Sequence, residues 1–230
     1  MQIDAVLFDF FGTLSPQRTT GEQLAARTRQ AIALGVDPLA FDAELTATFD
    51  ERFRGAGGDV AGSLAFVAAR MGHVPTAEQL AAAVAVRLAD EREFSEPRTE
   101  AVAVLAKLRR RGLSIGVISD CSAELPVNFS TLPIAPLVSA VVFSFVTGER
   151  KPHPGNYLAC CAELGVTPQQ CLYVGDGGSN ELYGARDLGM RAIHLDVAAE
   201  LDGVVLGKHI SWDGESIALL TDILDLLPEG

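Results

Sequence analysis

An acidic side chain follows a short apolar segment near the start of the chain. The sequence AVLFDFFGTL places Asp9 directly after that segment and just before a Gly-Thr pair. A buried strand that runs into a carboxylate and a turn presents the carboxylate at the C-terminal edge of a sheet, where open α/β sheets place their sites. A carboxylate there can act as a nucleophile or ligate a metal ion. Two residues later, Phe11 occupies a position where a second acid would assist that chemistry.

Three more polar residues follow apolar segments in the same relative position. Ser119 ends GVIS, Lys151 lies in TGERKPHP and Asp176 ends LYVGD. Asp9 and Asp176 beside a phosphate dianion would repel it and each other, and a divalent cation with oxygen ligands would remove that repulsion. These residue types therefore indicate phosphoryl transfer by positioning and charge.

Within that chemistry, the remaining polar groups are candidates for holding the phosphoryl oxygens. The hydroxyl of Ser119 and the backbone N–H groups of the Gly12–Thr13 turn can donate to them. Lys151 supplies a fixed positive charge that also stabilises Asp9 as an anion. Asp120, beside Ser119, is a further candidate for binding phosphate.

The elements that must position these residues are short buried strands and amphipathic helices. Apolar segments alternate with helical periodicity, which predicts βαβ units and a parallel, Rossmann-like α/β sheet flanked by helices. Residues 210–227 predict an edge strand and a closing helix. The predicted strands are 4–9, 114–118, 140–144, 171–175 and 191–195, and the predicted helices are 98–110, 154–164 and 179–188, each followed by glycine.

A long insertion without strand patterning separates the first strand from the next helix. It contains helical periodicity near 20–34, 38–54, 62–72 and 76–92, with Gly- and Pro-containing breaks between. An insertion of this length is not a loop. We expect a core α/β domain made of residues 1–14 and 94–230, and an α-helical cap domain, 15–93, above the C-terminal edge of the sheet.

Taken together, these motifs resemble the haloacid dehalogenase (HAD)-like hydrolase superfamily, in its helical-cap (C1) subgroup. The resemblance is carried by the segment around Asp9, by GERKPHPGNY and by VGDGGSNELYGARDLGM, and it spans essentially the whole chain. It implies that Asp9 forms an aspartyl intermediate, that Ser119 and Lys151 hold the transferred phosphoryl group, and that Asp176 binds Mg²⁺. The resemblance also implies a small phosphorylated metabolite as substrate.

This chain departs from that family pattern at two positions. Family phosphatases carry an Asp as general acid and base two residues after the nucleophile, where this chain has Phe11; the Phe11 carbonyl could still ligate Mg²⁺. We therefore expect slow turnover and a preference for acyl or aryl phosphates, whose leaving groups need no proton. The family's second late Asp is replaced by Asn180 and Glu181, and we take Glu181 as the candidate metal residue.

Two alternative functions remain open. Dehalogenases of the family need no acid, but they lack the Gly-Asp-Gly-Gly motif that this chain keeps, and no Arg lies near position 40. A weakly active or non-catalytic protein that binds a phosphorylated metabolite is the other alternative. The phosphonate-cleaving mechanism is excluded because the predicted cap contains no Lys between residues 15 and 93.

Composition limits the partners and the compartment. A net charge of −12 over 230 residues argues against nucleic acid and against an anionic membrane surface. No apolar run approaches the ~20 residues that would span a bilayer, and we expect no secretion signal at the N-terminus. The four cysteines have no zinc-like spacing, which favours reduced thiols in the cytoplasm. We expect a monomer or homodimer.

Overall fold

The computed structural model describes residues 2–197 and 212–227. Within them the chain forms a six-stranded sheet in the order β3-β2-β1-β4-β5-β6, and every neighbouring pair is parallel. This confirms the predicted parallel, Rossmann-like α/β fold. The strands are Ala5–Phe8 (β1), Ser114–Ser119 (β2), Ala140–Phe143 (β3), Cys171–Gly175 (β4), Arg191–Leu195 (β5) and Glu215–Ile217 (β6).

The central strands are apolar on both faces because helices cover both sides of the sheet. Along β1, Val6 and Phe8 pack into one core cluster, whereas Ala5 and Leu7 pack into the other. The described helices are Thr20–Leu34 (α1), Pro38–Ala47 (α2), Phe49–Phe53 (α3), Val60–Arg70 (α4), Ala77–Phe94 (α5), Ala101–Arg110 (α6), Glu124–Asn128 (α7), Ser144–Thr147 (α8), Pro154–Leu164 (α9) and Glu181–Asp187 (α10).

Several predicted bounds agree closely with the structure. The helices at 20–34 and 154–164 are found as predicted, and so are the strands at 171–175 and 191–195. The helix predicted at 98–110 begins at Ala101. The segment before it is tied to the end of the first motif, because the Arg98 N–H donates to the Leu14 carbonyl at 2.8 Å.

Three predicted helices differ from the structure. The helix predicted at 38–54 is divided at Thr48, whose hydroxyl donates to the Glu44 carbonyl and whose backbone leaves helical geometry. The helix predicted from 179 begins at Glu181, because Ser179 and Asn180 have φ of +53° and +55°. The closing helix is a short 3₁₀ segment at Leu220–Leu224, and the start of the predicted 210–227 tail lies outside the described residues.

Of the five helices α1–α5, α1, α2, α4 and α5 pack around a shared hydrophobic cluster that includes Leu34, Phe41 and Leu64. Capping boxes start α1 at Thr19 and α5 at Thr76. These five helices occupy the predicted cap, and we call them the helical insertion. The domain limits proposed from sequence, 1–14 and 94–230 for the core and 15–93 for the cap, stay a prediction. Among the described helices, none has the length and apolar character to cross a membrane.

The core on the α6 side of the sheet offers a test of this packing. Replacing the fully buried Leu105 by Ala leaves a cavity, so we expect the free energy of unfolding to fall by about 2–5 kcal/mol. Val102 on the same helix is 37% exposed, and Val102→Ala should cost about 0.5 kcal/mol or less. Urea denaturation measures both. Equal losses would contradict this assignment of the buried face of α6.

Candidate active site

The C-terminal edge of the sheet brings the two candidate carboxylates together. Strands β1 and β4 are neighbours, and Phe8 pairs with Val174. The N–H of Asp9 donates to the Val174 carbonyl at 2.9 Å, so Asp9 and Asp176 leave adjacent strand ends. Their separation in sequence is large, and only the strand order makes them neighbours.

Three carboxylates and one ammonium group form the centre of this edge. Asp9, Asp176 and Glu181 each offer an oxygen, and these oxygens all lie within 4.8 Å of one another. The Nζ of Lys151 forms ion pairs with both Asp9 and Glu181. Asp9, Glu181 and Lys151 are buried, with at most 5% of each residue exposed. The sequence predicted all four residues as parts of one site, and the structure brings them together.

The electrostatics of the cluster follow from burial and close charges. Burial raises the pKa of Asp9 to about 6, against the effect of the Lys151 ammonium and with a further rise from Asp176. Burial, and then the Asp9 carboxylate, hold the pKa of Glu181 well above its usual value. Burial alone would lower the pKa of Lys151, but Asp9 and Glu181 raise it well above the ordinary value. The ammonium therefore stays charged, and the carboxylates carry repulsion that a cation would relieve.

Glu181 reaches the cluster because the loop after β4 turns sharply. Ser179 and Asn180 both have left-handed backbone geometry, which returns the chain toward the strand end. Gly175 makes the approach feasible, since a Cβ there would lie 2.1 Å from Glu181 Oε1. The Tyr173 hydroxyl donates to Glu181 Oε2 at 2.8 Å, and the Gly177 N–H donates to Oε1 at 3.1 Å.

The turn after Asp9 is held by contacts within the first motif. Gly12 has a φ of +81°, and the Thr13 hydroxyl donates to Asp9 Oδ2 at 3.3 Å. The Thr13 N–H donates to the Phe10 carbonyl at 3.3 Å, so its hydroxyl, rather than its N–H, faces the nucleophile. The Arg98 guanidinium donates to the carbonyls of Gly12 and Thr13 at 2.9 and 2.8 Å.

Asp176 is positioned by two hydrogen bonds. The Gly178 N–H donates to Oδ1 and the Gln17 amide donates to Oδ2, both at 2.8 Å. A Cβ at Gly12 would lie 2.4 Å from Asp176 Oδ2, so only glycine lets the nucleophile turn approach this carboxylate. Gln17 belongs to the segment that leads into the helical insertion.

Ser119 and Asp120 end the neighbouring strand β2 but differ in their contacts. The Ser119 Oγ is buried and has no hydrogen-bond partner among the described residues. An oxygen atom of a bound ligand would accept a hydrogen bond from this hydroxyl. The Asp120 Oδ1 accepts the Lys151 N–H at 3.0 Å, and its Oδ2 lies 3.5 Å from Arg150 Nε. Asp120 therefore positions the backbone of the lysine.

Phe11 occupies the face of the site that is toward the helical insertion. Its ring packs edge-on against Phe10, with centroids 4.9 Å apart, and the Arg18 guanidinium lies 4.9 Å from its centroid. Phe11 and Gly12 line a cavity of about 140 Å³ that is otherwise formed by the helical insertion and by the segment after β2. An aromatic side chain here contributes shape and no proton.

Arg150 connects the insertion to two loops of the site. Its Nη1 pairs with Asp50 at 2.8 Å, its Nη2 donates to Ser179 Oγ at 3.4 Å, and its Nε lies near Asp120. Its Cζ lies 4.5 Å from the centroid of the Phe49 ring. Arg150, the residue before Lys151, thus links helix α3 to both sides of the sheet edge.

The donor set fits a hard divalent cation. Asp9, Asp176 and Glu181 supply carboxylate oxygens close enough to share one ion, and oxygen ligands are those that Mg²⁺ prefers. Among the described residues this is the one group of three or more His, Cys, Asp or Glu with that spacing.

Comparison with known proteins now identifies the family. A model of the haloacid dehalogenase-like hydrolase family matches residues 3–189. The chain belongs to this family of hydrolases. Among curated relatives, the glyceraldehyde 3-phosphate phosphatase of Methanopyrus kandleri is 27% identical over 84% of each chain. The phosphoglycolate phosphatase of Salmonella paratyphi A is 29% identical over 84% of this chain and 81% of its own.

Solved HAD structures share the fold at low identity. A 2-haloacid dehalogenase from Pseudomonas syringae pv. tomato aligns with a TM-score of 0.70 at 21% identity, over 98% of both chains. A HAD phosphatase from Thermococcus onnurineus aligns with a TM-score of 0.65 at 18% identity, over 100% of this chain and 99% of that one. A protein described as a phosphatase and a protein described as a dehalogenase therefore both have this fold. The helical-cap subgroup stays a prediction.

Sequence reasoning did not single out several residues that position the HAD site. Tyr173 lies inside a strand, Gln17 lies in a linker, and Arg98 and Arg150 look like ordinary surface cations in sequence. The adjacency of Arg150 to Lys151 was the one available signal. The other contacts depend on chain segments far apart in sequence.

Gly175 provides a test of how Glu181 is held. A methyl group at this position would displace the Glu181 carboxylate from Lys151 and Tyr173, so Gly175→Ala should lower the free energy of unfolding by about 1–3 kcal/mol. Gly21 in α1 is the control, because a Cβ there meets nothing nearer than 4.0 Å. Gly21→Ala should stabilise by up to about 1 kcal/mol. Unchanged stability of Gly175→Ala in urea denaturation would refute the proposed crowding.

Proposed function

We propose that this chain is a Mg²⁺-dependent phosphatase that works through an aspartyl-phosphate on Asp9. The observation that carries the proposal is the cluster of Asp9, Asp176 and Glu181 oxygens with Lys151 paired to two of them. A phosphatase that forms an aspartyl-phosphate with the help of Mg²⁺ needs an anionic nucleophile, a fixed cation and a metal site close together. The phosphatase names of the relatives support the same reaction class.

The first step transfers the phosphoryl group to the protein. An Asp9 carboxylate oxygen attacks phosphorus while the bond between phosphorus and the leaving oxygen breaks, and the leaving group departs with that electron pair. In the second step water attacks the phosphorus, and the bond to Asp9 breaks. Inorganic phosphate is released and the Asp9 carboxylate is restored.

Each residue has a separate part in these steps. Lys151 orients Asp9 and offers positive charge to the phosphoryl oxygens, and the unpaired Ser119 hydroxyl donates to another of those oxygens. Asp9, Asp176, Glu181 and the Phe11 carbonyl are the candidate ligands of Mg²⁺. When bound, the ion would neutralise charge that develops on the phosphoryl group.

The missing proton donor determines which substrates can react well. Phe11 cannot protonate a leaving oxygen or deprotonate water, and a positioned acid or base contributes about 10²- to 10⁴-fold, or roughly 3–5.5 kcal/mol of barrier. We therefore propose a small phosphorylated metabolite whose leaving group is stable as an anion, such as an acyl or aryl phosphate. Glyceraldehyde 3-phosphate and phosphoglycolate, which appear in the names of the relatives, are alkyl phosphates, and this protein should hydrolyse them slowly.

Phe11 also favours a second candidate, hydrolysis of a carbon–halogen bond. Halide leaves without a proton, so an aromatic residue at this position would not hinder it. The carboxylate cluster argues for the first candidate, because it could hold a divalent cation, and a halide leaves as a stable anion without one. A third candidate function is binding of a phosphorylated metabolite without turnover, which would use the same phosphate-binding and metal-binding residues.

An aryl phosphate assay separates these functions. The wild-type protein should hydrolyse p-nitrophenyl phosphate with Mg²⁺ and lose that activity in a chelator. Asp9→Asn removes the nucleophile and should lower kcat by roughly 10³-fold or more. Asp187→Asn, at an exposed position at the end of α10, is the matched control and should keep the rate. Metal-independent chloride release from 2-chloropropionate would favour a dehalogenase, and ligand-induced thermal shifts without turnover would favour a binding protein.

Restoring the missing acid tests the role of Phe11. Phe11→Asp should raise kcat for an alkyl phosphate by about 10- to 10³-fold, somewhat below the full contribution of an optimised acid. The rate for p-nitrophenyl phosphate should change much less, because its leaving group needs no proton. Phe11→Asn introduces a side chain of nearly the same shape as Asp but without an acidic proton, so it should give no gain in kcat. Equal effects of Asp and Asn would show that space, rather than proton transfer, limits the rate.

A further inference from the structure

Helix α3 of the helical insertion lies directly on the loops of the site. The Ser144 hydroxyl donates to the Phe53 carbonyl at 2.8 Å, and Arg54 Nη1 donates to the Gly148 carbonyl at 3.1 Å. Asp50 pairs with Arg150 at 2.8 Å, next to the catalytic lysine. These three contacts attach helix α3 to the loops at the sheet edge.

Arg52, in the same helix, is a buried cation without an acidic partner. Only 3% of the residue is exposed. Its Nε donates to Thr48 Oγ1 at 3.2 Å and its Nη2 donates to the Leu45 carbonyl at 2.7 Å. Its Nη1 donates to no described residue, and no carboxylate of the described chain forms an ion pair with it. Burying a charge without a counter-charge is unfavourable unless a ligand supplies one.

The other arginines of the insertion do not share this state. Six of them pair with carboxylates, and Arg92 is exposed to solvent. The six pairs are Arg18–Glu91, Arg27–Asp42, Arg29–Asp90, Arg54–Asp50, Arg70–Glu44 and Arg87–Glu124. The sequence has eight arginines between residues 15 and 93, and among them only Arg52 is both buried and without an ion pair to a described residue.

Arg52 lines the same cavity as the nucleophile turn. The cavity of about 140 Å³ includes Phe11 and Gly12 from the first motif, and Arg52 with the Phe49 and Phe53 rings from α3. The remaining charged side chains of its lining belong to the ion pairs above. Burial lowers the pKa of Arg52 to about 10, with a smaller effect from Arg27, so the side chain stays cationic at neutral pH.

We propose that Arg52 is a specificity residue that binds a carboxylate on the leaving group of the substrate. This rests on the proposed phosphatase function, and it narrows the substrate class to short phosphorylated carboxylic acids. A single uncompensated positive charge matches a carboxylate, whereas a second phosphate dianion would exceed it. A cavity near 150 Å³ holds a molecule of about the size of benzene, so the cavity suits a small leaving group.

Two phosphonates that are not hydrolysed test the proposal by titration calorimetry with Mg²⁺. Phosphonoacetate carries the carboxylate, and 2-hydroxyethylphosphonate has a neutral hydroxymethyl group in its place. Wild-type protein should bind phosphonoacetate about tenfold or more tightly than the neutral compound, as expected for a charge-assisted hydrogen bond. Arg52→Met should abolish this preference and keep the affinity for 2-hydroxyethylphosphonate within about twofold.

Two further variants complete the design. Arg92→Met, at an exposed position in α5, is the matched control and should keep the full preference. Arg52→Lys keeps the charge with a shorter reach and should retain part of it, which would support the proposal even if Arg52→Met folds poorly. Equal wild-type affinities, or an unchanged preference in both Arg52 variants, would overturn the role of Arg52 alone. Failure of wild-type protein to bind either phosphonate would overturn the phosphate site and this inference with it.

Discussion

The ion pairs of Lys151 with Asp9 and Glu181 are the interaction on which the rest of the site depends. Three carboxylates cannot share a buried space without positive charge, because each would repel the others and lose its hydration. Lys151 supplies one charge from inside the protein, and a divalent cation would supply the remainder. Much of the surrounding structure holds these groups in place: Asp120 binds the backbone of the lysine, Tyr173 and Gly177 bind Glu181, and Gln17 binds Asp176.

The sheet makes this arrangement possible with few residues. Parallel pairing of β1 with both β2 and β4 places three strand ends side by side, so that one polar residue after each strand is enough to form a site. Glycines at 12 and 175 occur where the backbone closely approaches the carboxylates of the site, and side chains there would collide with Asp176 and Glu181. The apolar strands form the hydrophobic core, and the polar residues at their C-terminal ends form the candidate site.

We propose that the helical insertion provides the substrate selectivity of the site at the sheet edge. It is held on the core by Arg150–Asp50 and Arg87–Glu124, and it encloses a cavity whose floor includes Phe11. The Phe11 ring and Arg52, which forms no ion pair with a described residue, together favour a small leaving group that carries its own negative charge and departs without a proton. We propose that Asp9 acts as the nucleophile and that Phe11 and Arg52, which both line the cavity, select the leaving group.

The sequence by itself determined the fold class, most strand bounds and three of the central residues, Asp9, Lys151 and Asp176, whereas Glu181 was expected from the resemblance to the family. It could do so because apolar strands of a parallel sheet read as continuous runs, and the polar residue that follows each run marks the common edge. Tertiary structure decided what depends on distant segments. The division of 38–54 at Thr48, the contacts of Tyr173, Gln17 and Arg98, and the choice of Arg52 among eight arginines all follow from which side chains lie close after folding. Burial and charge pairing are properties of that proximity, and linear spacing does not contain them.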